Sequence, residues 1–237
     1  MPAEIKILSD AAAVTHEAAQ RIVAAAKKGG IFSLCLSGGN TPKALYELLA
    51  SPQYRTQIDW SKIEIYFGDE RCVPPDNSES NYLMAQTALL SKVPIDASRI
   101  HRIRGEIEPQ AAAMEYGQLL KSKFGDGGLD MLLLGMGDDG HTASLFPGTA
   151  ALNETHHRCV ANFVPRMNTW RVTLTYPILN KSAAVMMLVV GAGKAQRLQE
   201  VLHGPRDPQR LPIQGIEPVS GKLAWLLDAG AAGGMSK

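Results

Sequence analysis

The chain has 237 residues, 45% of them hydrophobic, enough for a full core in one large domain or two small ones. Its formal net charge of +1 supplies no bulk field for a nucleic acid or a membrane surface, although local basic groups remain free to hold a small anion. Three cysteines (Cys35, Cys72, Cys159), odd in number and without metal-ligand spacing, fit a reduced cytoplasmic protein and not a disulfide scaffold.

In chain order, EIKIL (4–8) reads as a short strand and residues 10–28 as a helix, with Val14, Ala18 and Ile22 on one face and Gly29-Gly30 as its stop. IFSLCLS (31–37) reads as a buried strand, and Thr41-Pro42 opens the next helix. KIEIYF (62–67) is a strand, Asp76–Glu79 resembles a capping box ahead of a helix through Leu90, and RIHRI (99–103) is a short edge strand. A helix over 109–123 leads to the strand LDMLLL (129–134). RVTLTY (171–176) alternates like a half-buried strand, and AAVMMLVV (183–190) is a fully buried one followed by a helix over 193–202. PQRLPIQGIEP (208–218) is a loop, a last helix covers roughly 220–229, and the tail GAAGGMSK frays. The N-terminus lacks a signal-peptide core, and no apolar run reaches the ~20 residues of a membrane span. Strand–helix alternation of this kind predicts a single α/β domain: a Rossmann-like, mostly parallel sheet with helices on both faces.

In such a sheet, ligands bind where strands end at their carboxyl edge. Strand 31–37 ends in Ser37-Gly38-Gly39-Asn40-Thr41, where backbone N–H groups, two glycines and two hydroxyls suit an anion. The turn is not a P-loop, since no G-K-[ST] follows, and an ordinary capped turn is the competing reading. Strand 62–67 ends in Gly68-Asp69-Glu70-Arg71, either a solvated ion pair or part of the same site. Strand 129–134 ends in GMGDDGHTASLFPG (135–148), which spells G-x-G-x-x-G yet presents two carboxylates where a dinucleotide needs room for its pyrophosphate. Pro147-Gly148 also cuts short the helix that fingerprint requires. A tight turn presenting Asp139 and His141 to a pocket fits better, with the imidazole as a general base near neutral pH. Arg171 and Lys194 add cations suited to a phosphoryl group. His16, His101, His156, His157 and His203 lie outside any motif, and no metal site is expected.

Together, LSGGNTPKALYELL, FGDERCVPPDNSESNY, LLLGMGDDGHTASLFPG, RVTLTYPILN and the GAGKA turn resemble the 6-phosphogluconolactonases, of the superfamily that also holds glucosamine-6-phosphate deaminases. The resemblance implies a single α/β domain that hydrolyses 6-phospho-D-glucono-1,5-lactone, the second step of the oxidative pentose phosphate pathway, without a cofactor. The expected partner is a small-molecule sugar phosphate lactone, with neither nucleic acid nor membrane, for a monomer or small homo-oligomer. It places the catalytic histidine on His141, its neighbouring carboxylate on Asp139 and the D-E-R turn on Asp69, Glu70 and Arg71. Arg71 or backbone N–H groups would hold the oxyanion. Phosphate contacts fall on Ser37, Gly38, Gly39, Thr41, Arg171 and Lys194, with Asn81 a further candidate. The deaminase branch carries a glutamate where this chain has Phe146, a departure that argues for the lactonase. A sugar-phosphate sensor without catalysis is the remaining alternative.

Overall fold

The apolar runs become a six-stranded, wholly parallel sheet in the order β1-β9-β8-β5-β2-β3. The structure, a computed structural model, describes residues 3–235. The strands are β1 (Glu4–Leu8), β2 (Phe32–Leu36), β3 (Ile63–Phe67), β4 (Asp69–Arg71), β5 (Met131–Gly135), β6 (Cys159–Val164), β7 (Thr169–Leu174), β8 (Ala184–Val189) and β9 (Lys222–Asp228). The α-helices are α1 (Ala11–Ala26), α2 (Asn40–Leu49), α3 (Pro52–Arg55), α4 (Asn81–Ala85), α5 (Pro109–Phe124), α6 (Tyr176–Leu179), α7 (Ala195–His203) and α8 (Ala229–Ala232). β2, β5 and β8 are buried almost throughout, as strands covered on both faces must be.

The chain leaves β2 for its neighbour β3, then returns to place β5 on the other side of β2. That reversal is a topological switch point, and it opens a crevice between the carboxyl ends of β2 and β5. A second, antiparallel sheet of order β4-β7-β6 stands at this edge. Gly68 joins the sheets: its N–H donates to Leu36 O (2.9 Å) and its carbonyl accepts from Leu174 N (2.9 Å).

Several expectations change. Residues 222–228 form the strand β9, not a helix, because the run KLAWLLD fills the slot between β1 and β8 and pairs with both. The helical turn that follows, α8, is capped by Asp228, whose carboxylate accepts from Ala231 N (2.7 Å). The expected tail therefore begins inside structure, with Ala231 and Ala232 buried, while residues 236–237 lie outside the described ones. Residues 99–103 contribute only a single bridge, Ile65 to Ile100, beside a 3-10 turn. The strand expected over 171–176 belongs to the antiparallel sheet instead of the main one. α4 starts at Asn81 behind Ser80, whose hydroxyl accepts from Leu83 N (3.1 Å), and runs into a π-turn at Gln86–Leu90. Among the described residues, no helix is long and apolar enough to cross a membrane.

Candidate active site

At the switch point lies a cavity of about 220 Å³, lined by Ser37, Gly38 and Gly39 after β2, Asp69 and Arg71 of β4, Asn81 of α4, and Gly135 to Gly137 with His141 to Ala143 after β5. Three strand ends and the start of one helix, distant in sequence, thus meet in one place.

The first wall is the turn into α2. The Tyr46 hydroxyl accepts from Ser37 N (2.8 Å) and donates to Ser37 O (2.8 Å), clamping both backbone groups of one residue. Gly39 holds φ +104°, and no side chain caps the start of α2. The first N–H groups of the helix, Thr41 among them, therefore keep their positive pole without a side-chain partner. The competing reading of an ordinary capped turn lacks its cap. Gly38 has no room for a side chain, since a Cβ there would stand 2.1 Å from Asn81 Oδ1.

The second wall is Asp69 and its partners. One carboxylate oxygen accepts from Asn81 Nδ2 (3.2 Å) and the other from Ser144 Oγ (2.6 Å), so one buried group ties β4, α4 and the turn after His141 together. Glu70 points elsewhere and does not line the cavity. Its carboxylate accepts from Arg71 N (2.8 Å), Asn81 N (2.7 Å), Tyr82 N (2.8 Å) and Ser80 Oγ (3.0 Å), which makes it the anchor of the α4 N-terminus. Burial pushes its carboxyl above the usual carboxylate range, against the pull of three backbone N–H donors.

Arg71 and Arg171 are directly paired in the β4–β7 register. The Arg71 guanidinium donates to the carbonyl of Glu79. Arg171 is only 8% exposed, and its Nε is buried without a hydrogen-bond partner. Burial, and then the charge of Arg71, hold its guanidinium below the usual arginine value. Lys194 stands apart, paired with Asp138 at 2.5 Å in the turn after β8. That turn is pinned by Asp228, which accepts from Gly191 N (3.0 Å).

The third wall carries the histidine. Residues 137–141 fold into a tight turn in which Gly140 N donates to Gly137 O (3.0 Å) and Gly137 N to His141 O (2.9 Å). No helix follows it, so the glycine pattern offers a dinucleotide no helix N-terminus. A Cβ on Gly137 would lie 2.0 Å from His141 Nδ1, so the glycine makes room for the imidazole. Gly140, at φ +80°, passes close to Leu211 and accepts from Ile213 N (3.0 Å). The loop 208–218 is thus a buttress for the histidine turn, a role its irregular sequence does not signal.

His141 Nδ1 sits 2.5 Å from Asp139 Oδ1. Burial alone would raise the Asp139 carboxyl, but its hydrogen bond and charge contact with His141, helped by Arg166, hold it down at about 2. An ionised carboxylate only accepts, so the hydrogen between the two is carried by Nδ1. The ring stacks on Phe146, with centroids 4.2 Å apart and planes 29° apart. Arg166, which no sequence pattern set apart from other surface arginines, pairs with the second Asp139 oxygen at 2.7 Å. Among the described residues, no group of three or more His, Cys, Asp or Glu is arranged to hold a metal ion.

The crevice is thus cut by the reversal of a parallel sheet and lined by His141, which Asp139 holds, and by the turn into an uncapped helix. The chain belongs to the family of glucosamine-6-phosphate isomerases/6-phosphogluconolactonase, whose model matches residues 9–225. It is 39% identical to a 6-phosphogluconolactonase of Nostoc sp. over 100% of both chains. The crystal structure of the devB protein superposes with a TM-score of 0.94 at 38% identity, covering 99% of this chain and 100% of the other. A 6-phosphogluconolactonase from Trypanosoma cruzi gives a TM-score of 0.87 at 28% identity, covering 100% and 98%.

Proposed function

We propose that the protein is a 6-phosphogluconolactonase, hydrolysing 6-phospho-D-glucono-1,5-lactone to 6-phospho-D-gluconate in the oxidative pentose phosphate pathway. The observation that carries the chemistry is the 2.5 Å contact of Asp139 with His141 Nδ1, which leaves Nε2 as a base at the cavity wall. The relatives' names supply the substrate class.

In this reading the phosphate docks at the uncapped start of α2, on Ser37, Gly38, Gly39 and Thr41. Arg171, whose buried Nε has no hydrogen-bond partner, offers it a forked donor. Lys194 exchanges Asp138 for the same anion. Anchoring the phosphate holds the lactone carbonyl near His141, and this positioning supplies much of the rate. His141 Nε2 takes a proton from water as the water oxygen bonds to C1, and the carbonyl electrons move to oxygen. The oxyanion is held by Arg71 or by backbone N–H groups, an effect typically worth ~3–4 kcal/mol for one donor. When the intermediate collapses, the C1–ring oxygen bond breaks and the imidazolium returns its proton to the departing oxygen. Asp139 fixes the tautomer and stabilises the imidazolium. No activated serine or cysteine lines the cavity, so water attacks directly.

Phe146 favours the lactonase over a deaminase, because an aromatic ring stacked on His141 stands where the deaminase branch carries a glutamate. The test adds the protein to freshly made lactone and follows acid release above the spontaneous rate, with ammonia release from glucosamine 6-phosphate measured in parallel. Acid release alone supports the proposal. Ammonia release, or neither, contradicts it.

A further inference from the structure

Arg166 has no part in the scheme above, yet it touches both groups that fix the catalytic imidazole. It sits in the 3-10 turn Pro165–Met167 at the tip of the β6–β7 hairpin. One guanidinium nitrogen lies 2.7 Å from Asp139 Oδ2, while His141 holds Oδ1. Its Cζ lies 5.0 Å from the centroid of the Phe146 ring on which His141 stacks. The Arg166 side chain is 54% exposed, and ion pairs so exposed contribute little to stability. The backbone is strained on both sides of the contact. Among the described residues, only two non-glycines hold positive φ: Ala143 (48°), two positions after His141, and Asn168 (47°), two after Arg166. Such conformations persist where the surroundings over-determine a turn, and they cluster at functional sites.

We propose that Arg166 is a positioning residue that keeps His141 in its basic form, by sharing the charge of Asp139 and by holding the Phe146 ring against the imidazole. The proposal rests on the reading of His141 as the general base. The other charges around the imidazole are already engaged. Asp138 is paired with Lys194, and its carbonyl accepts from Arg197 Nε (2.9 Å). Across the cavity, Asp69 is held by Asn81 and Ser144, and Arg71 by the Glu79 carbonyl, with Arg171 beside it. Arg166 is the cation in direct contact with the Asp139 carboxylate. Without it, the whole carboxylate charge acts on the ring, imidazolium becomes more stable, and the base forms only at higher pH.

The test is the titration of His141 by NMR in ligand-free wild type, Arg166→Met and Arg166→Lys, followed by pH–rate profiles on the lactone. Arg166→Met is expected to raise the His141 midpoint by about half a unit to one unit. The acidic limb of kcat/KM should move with it, and kcat at a pH well below the midpoint should fall by the matching factor, roughly threefold for half a unit and tenfold for one, while KM changes less than about twofold. Arg166→Lys, which keeps the charge, should return the midpoint most of the way. An unchanged midpoint in Arg166→Met, or a raised KM at wild-type kcat, overturns the proposal. The titration needs no substrate, so a wild type inactive on the lactone would defeat the proposed function while the midpoint still decides the role of Arg166.

Discussion

Arg71 and Arg171 stand opposite one another in the antiparallel β4–β7 pair, two cations on one face of a small sheet with the second almost buried. Like charges placed directly across a strand pair are destabilising, and a buried guanidinium nitrogen without a partner adds a desolvation cost. A fold keeps such an arrangement where an anion completes it.

Arg171→Met is therefore expected to raise thermal stability and to weaken substrate binding together. KM should rise by roughly tenfold or more, the scale of a lost charged hydrogen bond, with kcat little changed. Inorganic phosphate should raise the melting temperature of the wild type and do so much less for the variant. Equal stabilisation of both proteins by phosphate would remove Arg171 from the anion site.

Gly137→Ala tests whether the turn exists to seat the imidazole. The glycine has no positive φ, so alanine suits its backbone, but the new Cβ would stand 2.0 Å from His141 Nδ1. Circular dichroism should remain that of the wild type while kcat falls by roughly 10²-fold, the scale of a lost general base. Wild-type turnover would show that the ring has another place to sit.

Glu70 should behave as a structural residue. In Glu70→Gln an amide N–H₂ replaces one carboxylate oxygen, and each oxygen now accepts two donors. Whichever end becomes the amide faces N–H or O–H groups, so the variant should lose ~1–3 kcal/mol in denaturant unfolding. Loss of activity at unchanged stability would instead place Glu70 in the chemistry.

The pH dependence of stability follows from Asp139. Its carboxyl lies at about 2 in the folded protein, below the ~3.9 of an unfolded chain, so its contribution is whole above about pH 4 and lost as the pH falls towards 2. Asp139→Asn should flatten that part of the stability curve. It should also cut kcat by roughly 10²-fold or more, since the amide no longer enforces the tautomer. An unaltered acid limb of the stability curve would mean that the His141–Asp139 contact does not persist in solution.

The strand ends were legible because a parallel sheet gathers them at one edge whatever lies between, so Ser37, Asp69 and His141 could be placed together from sequence. β9 was not legible: KLAWLLD contains no β-branched residue, five of its seven residues are good helix formers, and its partners β1 and β8 make it a strand. β4 is three charged residues long and carries no periodicity at all. Glu70 and Arg71 are adjacent in sequence, yet strand alternation sends one to cap α4 and the other to the cavity, a division their spacing shows only once β4 is known to be a strand. Arg166 depends on a hairpin reaching across to the turn after β5, a contact no local pattern records.

In the proposed reaction, neutral His141 activates the attacking water. The most direct measurement is kcat for acid release from fresh 6-phosphogluconolactone by wild type and His141→Ala, with the spontaneous rate subtracted. A fall of ~10²-fold or more at a nearly unchanged KM is expected. Wild-type kcat in His141→Ala would contradict it.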